Sequence, residues 1–226
     1  KKHRNSGAKK VLITAAAPDP DITLCMGVNH KEYDHNNHHI ISGSSCTTNC
    51  IAPVVKIIDD NFGISSCLAT IIHSYTTTQN ILDNTHNDLR RARSATRNVI
   101  PTQTSAVVQI QEIIPKLKGK FDGLAVRVPT PIMHLADVSF LLDKKVLHDE
   151  LISTLNNASQ GRFKNIVTLS NLPLVSSDFI GSTYSSIIDQ QNIYIKDNLV
   201  KLLLWHDNEY SYCRRILDLV YHISQR

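Results

Sequence analysis

The chain has 226 residues, 42% hydrophobic and 19% charged, with a formal net charge of +4, eight Gly, eight Pro and five Cys. That is enough for one large domain or two small ones around a hydrophobic core, and the biases of collagens, disordered tails and disulfide scaffolds are absent. Lys, Asp, His or Asn interrupts every apolar run before it reaches the roughly 18 residues of a membrane span, so no crossing is expected. The cysteines, Cys25, Cys46, Cys50, Cys67 and Cys213, are odd in number and unevenly spaced, which points to free thiols in a reducing compartment. Positive charge gathers at Lys1, Lys2, Arg4, Lys9 and Lys10 and again at Arg90, Arg91, Arg93 and Arg97. Without interleaved aromatics this reads as a site for a small anion rather than a nucleic-acid groove.

Short strand-like runs alternate with helical patterns along the chain, which predicts an α/β or α+β protein. Val11 to Thr14 and Leu24 to Val28, bounded by the Pro18 to Pro20 turn and a polar loop from Asn29 to His39, read as two buried strands. From Thr47 to Phe62 the residues Ile51, Val54, Val55 and Ile58 recur at helical spacing and Gly63 supplies a stop, so a helix follows directly after Cys46. Cys67 to Ile72 is strand-like and ends at His73, and Ser74 to Asn98 is a long polar loop of the kind that usually carries function. Thr104 to Ile114 reads as a helix closed by Pro115, and Gly123 to Val128 as a strand. A strand from Asp137 to Leu142 alternates Val138, Phe140 and Leu142 onto one buried face. A helix from Asp149 to Ala158 ends at Gly161. Strands at Ile166 to Leu169, Ser185 to Asp189, Ile193 to Ile195 and Leu199 to Trp205 then suit a mixed or antiparallel sheet, before a final amphipathic helix from Tyr210 to Ile223.

The run Ser45-Cys46-Thr47-Thr48-Asn49-Cys50 puts a thiol at a helix start, where unpaired N–H groups and the helix dipole favour the nucleophilic thiolate. Cys46 is therefore expected to be the most reactive of the five thiols. The alternative is that Cys46 and Cys50 are small buried residues. A metal site built from Cys46, Cys50 and His73 lacks paired zinc-ligand spacing, and no metal is expected. His73, at a strand end, is placed to hold a thiolate as an ion pair and later take a proton, unless it is simply structural. The hydroxyls of Thr76, Thr78 and Thr104, with Arg127 isolated between Val126 and Val128, are phosphate donors. An unpaired buried charge costs about 3–5 kcal/mol, so Arg127 needs a bound anion or a carboxylate of the fold.

Taken in order, these motifs resemble the phosphorylating glyceraldehyde-3-phosphate dehydrogenases. The Cys46 run resembles that family's nucleophile signature, and His73-Ser74-Tyr75-Thr76 falls where the family has its catalytic histidine. Asp88-Leu89-Arg90-Arg91-Ala92-Arg93 resembles its S-loop, Val99-Ile100-Pro101 through Thr104 the phosphate segment, and Arg127-Val128-Pro129-Thr130-Pro131 the strand arginine. Trp205-His206-Asp207-Asn208-Glu209 resembles the segment that meets the nicotinamide. The chain departs from the family at Gly43-Ser44-Ser45, usually Asn-Ala-Ser, at Ser105 and Ser211, usually Gly, and at Ile132-Met133-His134, usually Asn-Val-Ser. Arg214-Arg215 is also unusual.

The resemblance implies oxidation of glyceraldehyde 3-phosphate with inorganic phosphate and NAD or NADP. Cys46 is the nucleophile and His73 the base. Ser45, Thr47, Thr76, Thr78, Thr104 and Arg127 line the substrate and phosphate sites, and Asn208 meets the nicotinamide carboxamide. Thr85, with Asn84, lies where the family approaches the adenosine ribose, and its hydroxyl suggests tolerance of NADP. The implied fold is an α+β catalytic domain with a mixed sheet over 46–207. It is preceded by the remnant of a doubly wound, Rossmann-type dinucleotide-binding domain over 1–45 and followed by a C-terminal helix over 208–226 that packs on that domain. The G-x-G-x-x-G turn that cradles a pyrophosphate is absent from these residues, so the chain reads as a fragment. A cytoplasmic homotetramer is implied, or a plastid enzyme where a transit peptide has been removed, with neither nucleic acid nor membrane as partner. The competing readings are erythrose-4-phosphate dehydrogenase, disfavoured by Thr76 and Thr78, and an inactive remnant that serves only as an interaction domain.

Overall fold

In the structure, a computed structural model that describes residues 2–225, the chain forms two sheets. After a single helical turn, α1 (Lys2–Asn5), the strands β1 (Val11–Ile13), β2 (Ile22–Thr23) and β3 (Ile40–Ser42) form a three-stranded parallel sheet in the order β1-β3-β2. The segment expected as a strand from Leu24 to Val28 is instead a buried turn. Asn29 intercepts its backbone: its Oδ1 accepts from the Cys25 N–H at 2.8 Å and its Nδ2 donates to the Thr23 carbonyl at 2.9 Å. Gly27 then turns the chain at φ +80°. β3, at three residues, is too short for a periodic signal.

The larger sheet has eight strands. They are β4 (Ile64–Ser74), β5 (Ile100–Thr102), β6 (Phe121–Val128), β7 (His134–Leu142), β8 (Val167–Ser170), β9 (Ser186–Asp189), β10 (Tyr194–Lys196) and β11 (Leu199–His206). Their order is β5-β6-β4-β7-β11-β9-β8, with β10 added on β11. Pairs β4/β6 and β8/β9 are parallel and the others antiparallel, the mixed sheet that the closely spaced strands implied. Pro101 lies on β5 at the sheet edge, where a missing N–H costs no ladder bond.

One face of this sheet is covered by α2 (Cys46–Phe62), α3 (Ala106–Ile113) and α4 (His148–Gln160). Ile51, Val54, Val55 and Ile58 of α2 are fully buried against Ala69 and Ile71 of β4, Val138, Phe140 and Leu142 of β7 and Val200, Leu202 and Leu204 of β11. The period-two alternation therefore points every second residue of β4, β6, β7 and β11 at α2. On the opposite face Leu68, Leu124, Leu141 and Leu199 are exposed. The last helix, α5 (Tyr210–Ser224), joins the small sheet: Leu219 packs with Leu24, Tyr33 and Ile41. Among the described residues no helix is long and apolar enough to cross a membrane.

Candidate active site

Ser45 starts α2. Its backbone is extended, at φ −100° and ψ 162°, and its Oγ accepts the Thr48 N–H at 3.2 Å, satisfying one of the free donors of the first turn. The preceding Ser44 is held left-handed at φ 62°. Its Oγ donates to Gln109 Oε1 at 2.9 Å, its carbonyl accepts from Tyr212 Oη at 2.7 Å, and Gln109 Oε1 also accepts from Thr48 Oγ1 at 3.0 Å. Gly43 lets this turn close against α5, since a Cβ there would stand 2.5 Å from Ile216 Cδ1. Cys46 thus opens the helix at a position fixed by α3 and α5.

Strand pairing supplies the rest. Arg127 of β6 is opposite His73 of β4, His73 is opposite His134 of β7, and His134 is opposite His206 of β11. The four side chains form one row across four adjacent strands, in the phase that faces α2, and all are at least nine-tenths buried. The His73 and His134 ring centroids are 3.3 Å apart, and His134 meets His206 edge-on at 4.6 Å. One ligand atom each from Cys46, His73 and His134 lies within 4.8 Å of the other two.

His73 Nδ1 lies 2.6 Å from the Ser74 carbonyl, which can only accept. Arg127 Nη1 also lies against Nδ1, stands 3.1 Å from Nε2 and donates to the Ser74 carbonyl at 2.8 Å. Burial, then the Arg127 guanidinium, hold His73 down at about 3. Burial outweighs the hydrogen bond from Thr47 and raises the Cys46 thiol. These fields favour a neutral thiol beside a neutral imidazole, in place of the expected thiolate–imidazolium pair. His73 in this state is a proton acceptor.

Of the other thiols, Cys25 differs from expectation in its setting, while Cys67 lies in its strand as expected. Cys213 is exposed and Cys46 half-buried, whereas Cys25, Cys50 and Cys67 are buried; all five are free. Burial, opposed by the Arg215 charge, pushes Cys25 to about 12, although it lies in a turn and not in the strand expected for it.

Arg127 forms no ion pair with a carboxylate among the described residues, and its buried Nε has no partner. Burial, followed by Arg91, lowers it to about 10, so it stays charged near neutrality. No hydrogen bond joins it to Thr76, Thr78 or Thr104. Thr76 and Thr78 pair with each other at 3.1 Å, and Thr104 lines an open cavity of about 790 Å³ with Arg90, Thr102 and Gln103. Thr47 is buried beside Cys46, and Thr85 is exposed, its backbone N–H donating to Asn84 Oδ1 at 2.8 Å. Asn208 Oδ1 accepts from the Met133 N–H at 2.9 Å, which leaves the amide nitrogen as its outward donor. Asp207 is structural: its Oδ1 accepts from the Glu209 and Tyr210 N–H groups at 2.9 Å each, capping α5, and its Oδ2 from the Gly181 N–H at 2.8 Å.

The site contains two residues that the sequence reading did not assign to it, His134 and His206. Both stand in the inward phase of a strand, continuing Ala136-Val138-Phe140 and Val200-Leu202-Leu204, and that phase was the available signal.

Residues 45–208 match the model of the glyceraldehyde 3-phosphate dehydrogenase C-terminal domain. The whole chain is 48% identical to glyceraldehyde-3-phosphate dehydrogenase 2 of Trichormus variabilis, covering 67% of that protein. It is 46% identical over its whole length to the glyceraldehyde-3-phosphate dehydrogenases of Priestia megaterium and Geobacillus stearothermophilus, covering 68% of each. A domain match across the site and whole-chain identity of this order establish that the chain belongs to the glyceraldehyde-3-phosphate dehydrogenase family.

Proposed function

We infer that this chain carries the thiol chemistry of the phosphorylating oxidation of glyceraldehyde 3-phosphate to 1,3-bisphosphoglycerate. The observation that carries the reading is the meeting of Cys46, at the start of α2, with His73, which the β4 register holds beside Arg127. Cys46 Sγ adds to the aldehyde carbon while its proton passes to the unprotonated ring nitrogen of His73. The neutral imidazole favoured by burial suits that role. His73 then manages the thiohemiacetal hydroxyl proton as the carbonyl re-forms. A bound nicotinamide dinucleotide supplies the hydride acceptor. The free amide nitrogen of Asn208 fits a carboxamide oxygen of that group. Attack of inorganic phosphate on the Cys46 thioester releases the acyl phosphate and restores the thiol. Arg127, with an unpartnered buried Nε, suits an anionic oxygen, and Thr104 beside Arg90 suits a second.

In this proposal residues 46–207 form the catalytic domain, while 1–45 and 208–226 form the dinucleotide-side unit, a reading supported by the packing of Leu219 of α5 against Leu24 and Ile41. The exposed leucines of the large sheet support assembly into a homotetramer, and five free thiols support a cytoplasmic setting. Coenzyme choice is proposed as NAD with tolerance of NADP through Thr85, which turnover with each coenzyme tests directly. The test of the main reading is phosphate-dependent reduction of the coenzyme by glyceraldehyde 3-phosphate. Cys46→Ser abolishes it, and His73→Asn lowers kcat by about 100-fold or more. Equal rates with erythrose 4-phosphate would favour the erythrose enzyme, and folded protein that never acylates would favour an inactive remnant.

A further inference from the structure

The inward face of the sheet holds two histidines for which the reaction above has no use. His134 is 1% exposed and His206 fully buried, and neither ring nitrogen of either has a hydrogen-bond partner. Buried polar groups in folded proteins are almost always bonded, so four orphaned ring nitrogens side by side call for a partner. Strand register sets His134 directly beside His73, and Cys46 Sγ lies within 4.8 Å of a ring nitrogen of each.

We propose that Cys46, His73 and His134 form a binding site for a soft divalent cation of the Zn²⁺ class, whose occupancy silences the Cys46 thiol. This goes beyond the catalytic reading and holds whether or not Cys46 turns over substrate. The donor set is one sulfur and two imidazole nitrogens with no carboxylate, which selects zinc-like ions over Mg²⁺ or Ca²⁺. Zn–S of about 2.3 Å and Zn–N of about 2.0–2.1 Å at tetrahedral angles put ligand atoms about 3.3–3.6 Å apart, so atoms that lie within 4.8 Å of one another need to close by about 1.5 Å at most. For Nε2 of His73 to ligate, Arg127 Nη1, 3.1 Å from it, swings aside, and the Ser74 carbonyl, 2.6 Å from Nδ1, then supplies the outer hydrogen bond to the ring. Three protein ligands leave a fourth position open, filled by water. The Arg127 guanidinium, 3.1 Å from His73 Nε2, opposes a dication, so binding requires the thiolate. The step is Cys46–SH + M²⁺ → Cys46–S–M⁺ + H⁺, with the proton released to buffer and no change of oxidation state.

The experiment titrates Cd²⁺ and Zn²⁺ into the full chain carrying Cys213→Ser, which removes the exposed thiol. The readouts are the thiolate-to-cadmium ultraviolet absorption and calorimetry, with far-UV circular dichroism as the check on folding. The expected result is one equivalent bound with release of a proton. The absorption disappears in Cys46→Ser. In His134→Ser affinity falls by about 100-fold, since loss of a ligand should equal or exceed the roughly 10–100-fold effect of losing an outer partner. His134→Gln, which keeps more bulk beside His73, gives the same loss. A second readout is that Zn²⁺ blocks alkylation of Cys46 in the parent and fails to do so in either His134 variant. Undiminished affinity in a folded His134 variant, or metal absorption that survives Cys46→Ser, overturns the site. Metal binding without any acylation of Cys46 would instead refute the catalytic reading and leave this site standing.

Discussion

Gln109 is the residue on which the geometry of the nucleophile turn depends, and its replacement by leucine is the sharpest test of that architecture. It is 4% exposed, and its Oε1 accepts from Ser44 Oγ at 2.9 Å and from Thr48 Oγ1 at 3.0 Å. In Gln109→Leu the Thr48 hydroxyl still has Ser45 Oγ at 2.8 Å, whereas the Ser44 hydroxyl, fully buried, has no second acceptor. One orphaned buried hydroxyl costs about 1–3 kcal/mol and the second lost bond about 1 kcal/mol more, partly offset by the apolar side chain, for a net loss of about 2–3 kcal/mol. Adding Ser44→Gly should recover most of that, because it removes the orphan and gives φ 62° to a residue that adopts it freely. The assay is urea denaturation of the two single variants and the double variant, alongside the rate of iodoacetamide labelling at Cys46 by peptide mass mapping. The labelling rate should fall in Gln109→Leu, because the Ser45 cap and the start of α2 lose their brace. An unchanged midpoint with unchanged Cys46 labelling would refute the reasoning.

Acid should destabilise the fold through its histidine row. His73 and His206 are held at about 3, mainly by burial, against about 6.5 in the unfolded chain. The folded value is the lower, so this contribution is fully present above pH 6.5 and is lost as pH falls from there towards 3. At pH 5 the loss relative to pH 7 is about 2 kcal/mol for each histidine, measurable by urea titration at the two pH values in the presence of chelator. A flat profile from pH 7 to 5 would contradict it. Gly123→Ala should cost about 3 kcal/mol, because the new Cβ would stand 2.2 Å from the Ala69 carbonyl oxygen across the β4/β6 pair; wild-type thermal stability would count against that close approach. Limiting iodoacetamide should label Cys213 first by exposure and Cys46 next, leaving Cys25, Cys50 and Cys67 untouched, and labelling of Cys46 should slow in His73→Asn. Early labelling of Cys67 would show that the large sheet is more open than its burial implies.

Much of the site could be read locally because its signals are local. Ser45 before a run of apolar residues at helical spacing marks a capped helix start, and the structure begins α2 at Cys46. Val138, Phe140 and Leu142 announce their face by alternation alone. The misreadings also have physical causes. In Leu24 to Val28 an apolar run was diverted from the sheet by the Asn29 side chain, a competition that hydrophobicity does not register. The strand β7 begins three residues before the expected Asp137, and that extension carries His134 into the core. The row Arg127, His73, His134 and His206 depends on the pairing register of four strands distant in sequence, which no local pattern encodes. Nor does the sequence reveal that burial would leave Cys46 and His73 neutral, since that follows from what packs over them.

The central claim is that Cys46, assisted by His73, is an acyl-accepting nucleophile. Acetyl phosphate tests it without coenzyme, because the thiol displaces phosphate to give a thioester directly. The full chain is incubated with acetyl phosphate at neutral pH and digested, and each of the five cysteine peptides is weighed by mass spectrometry. The account predicts an acetyl group on Cys46, its absence in Cys46→Ser, a slower appearance in His73→Asn, and none on the more exposed Cys213. Acetylation that follows exposure, with Cys213 modified ahead of Cys46, or no acetylation of a correctly folded chain, would contradict it.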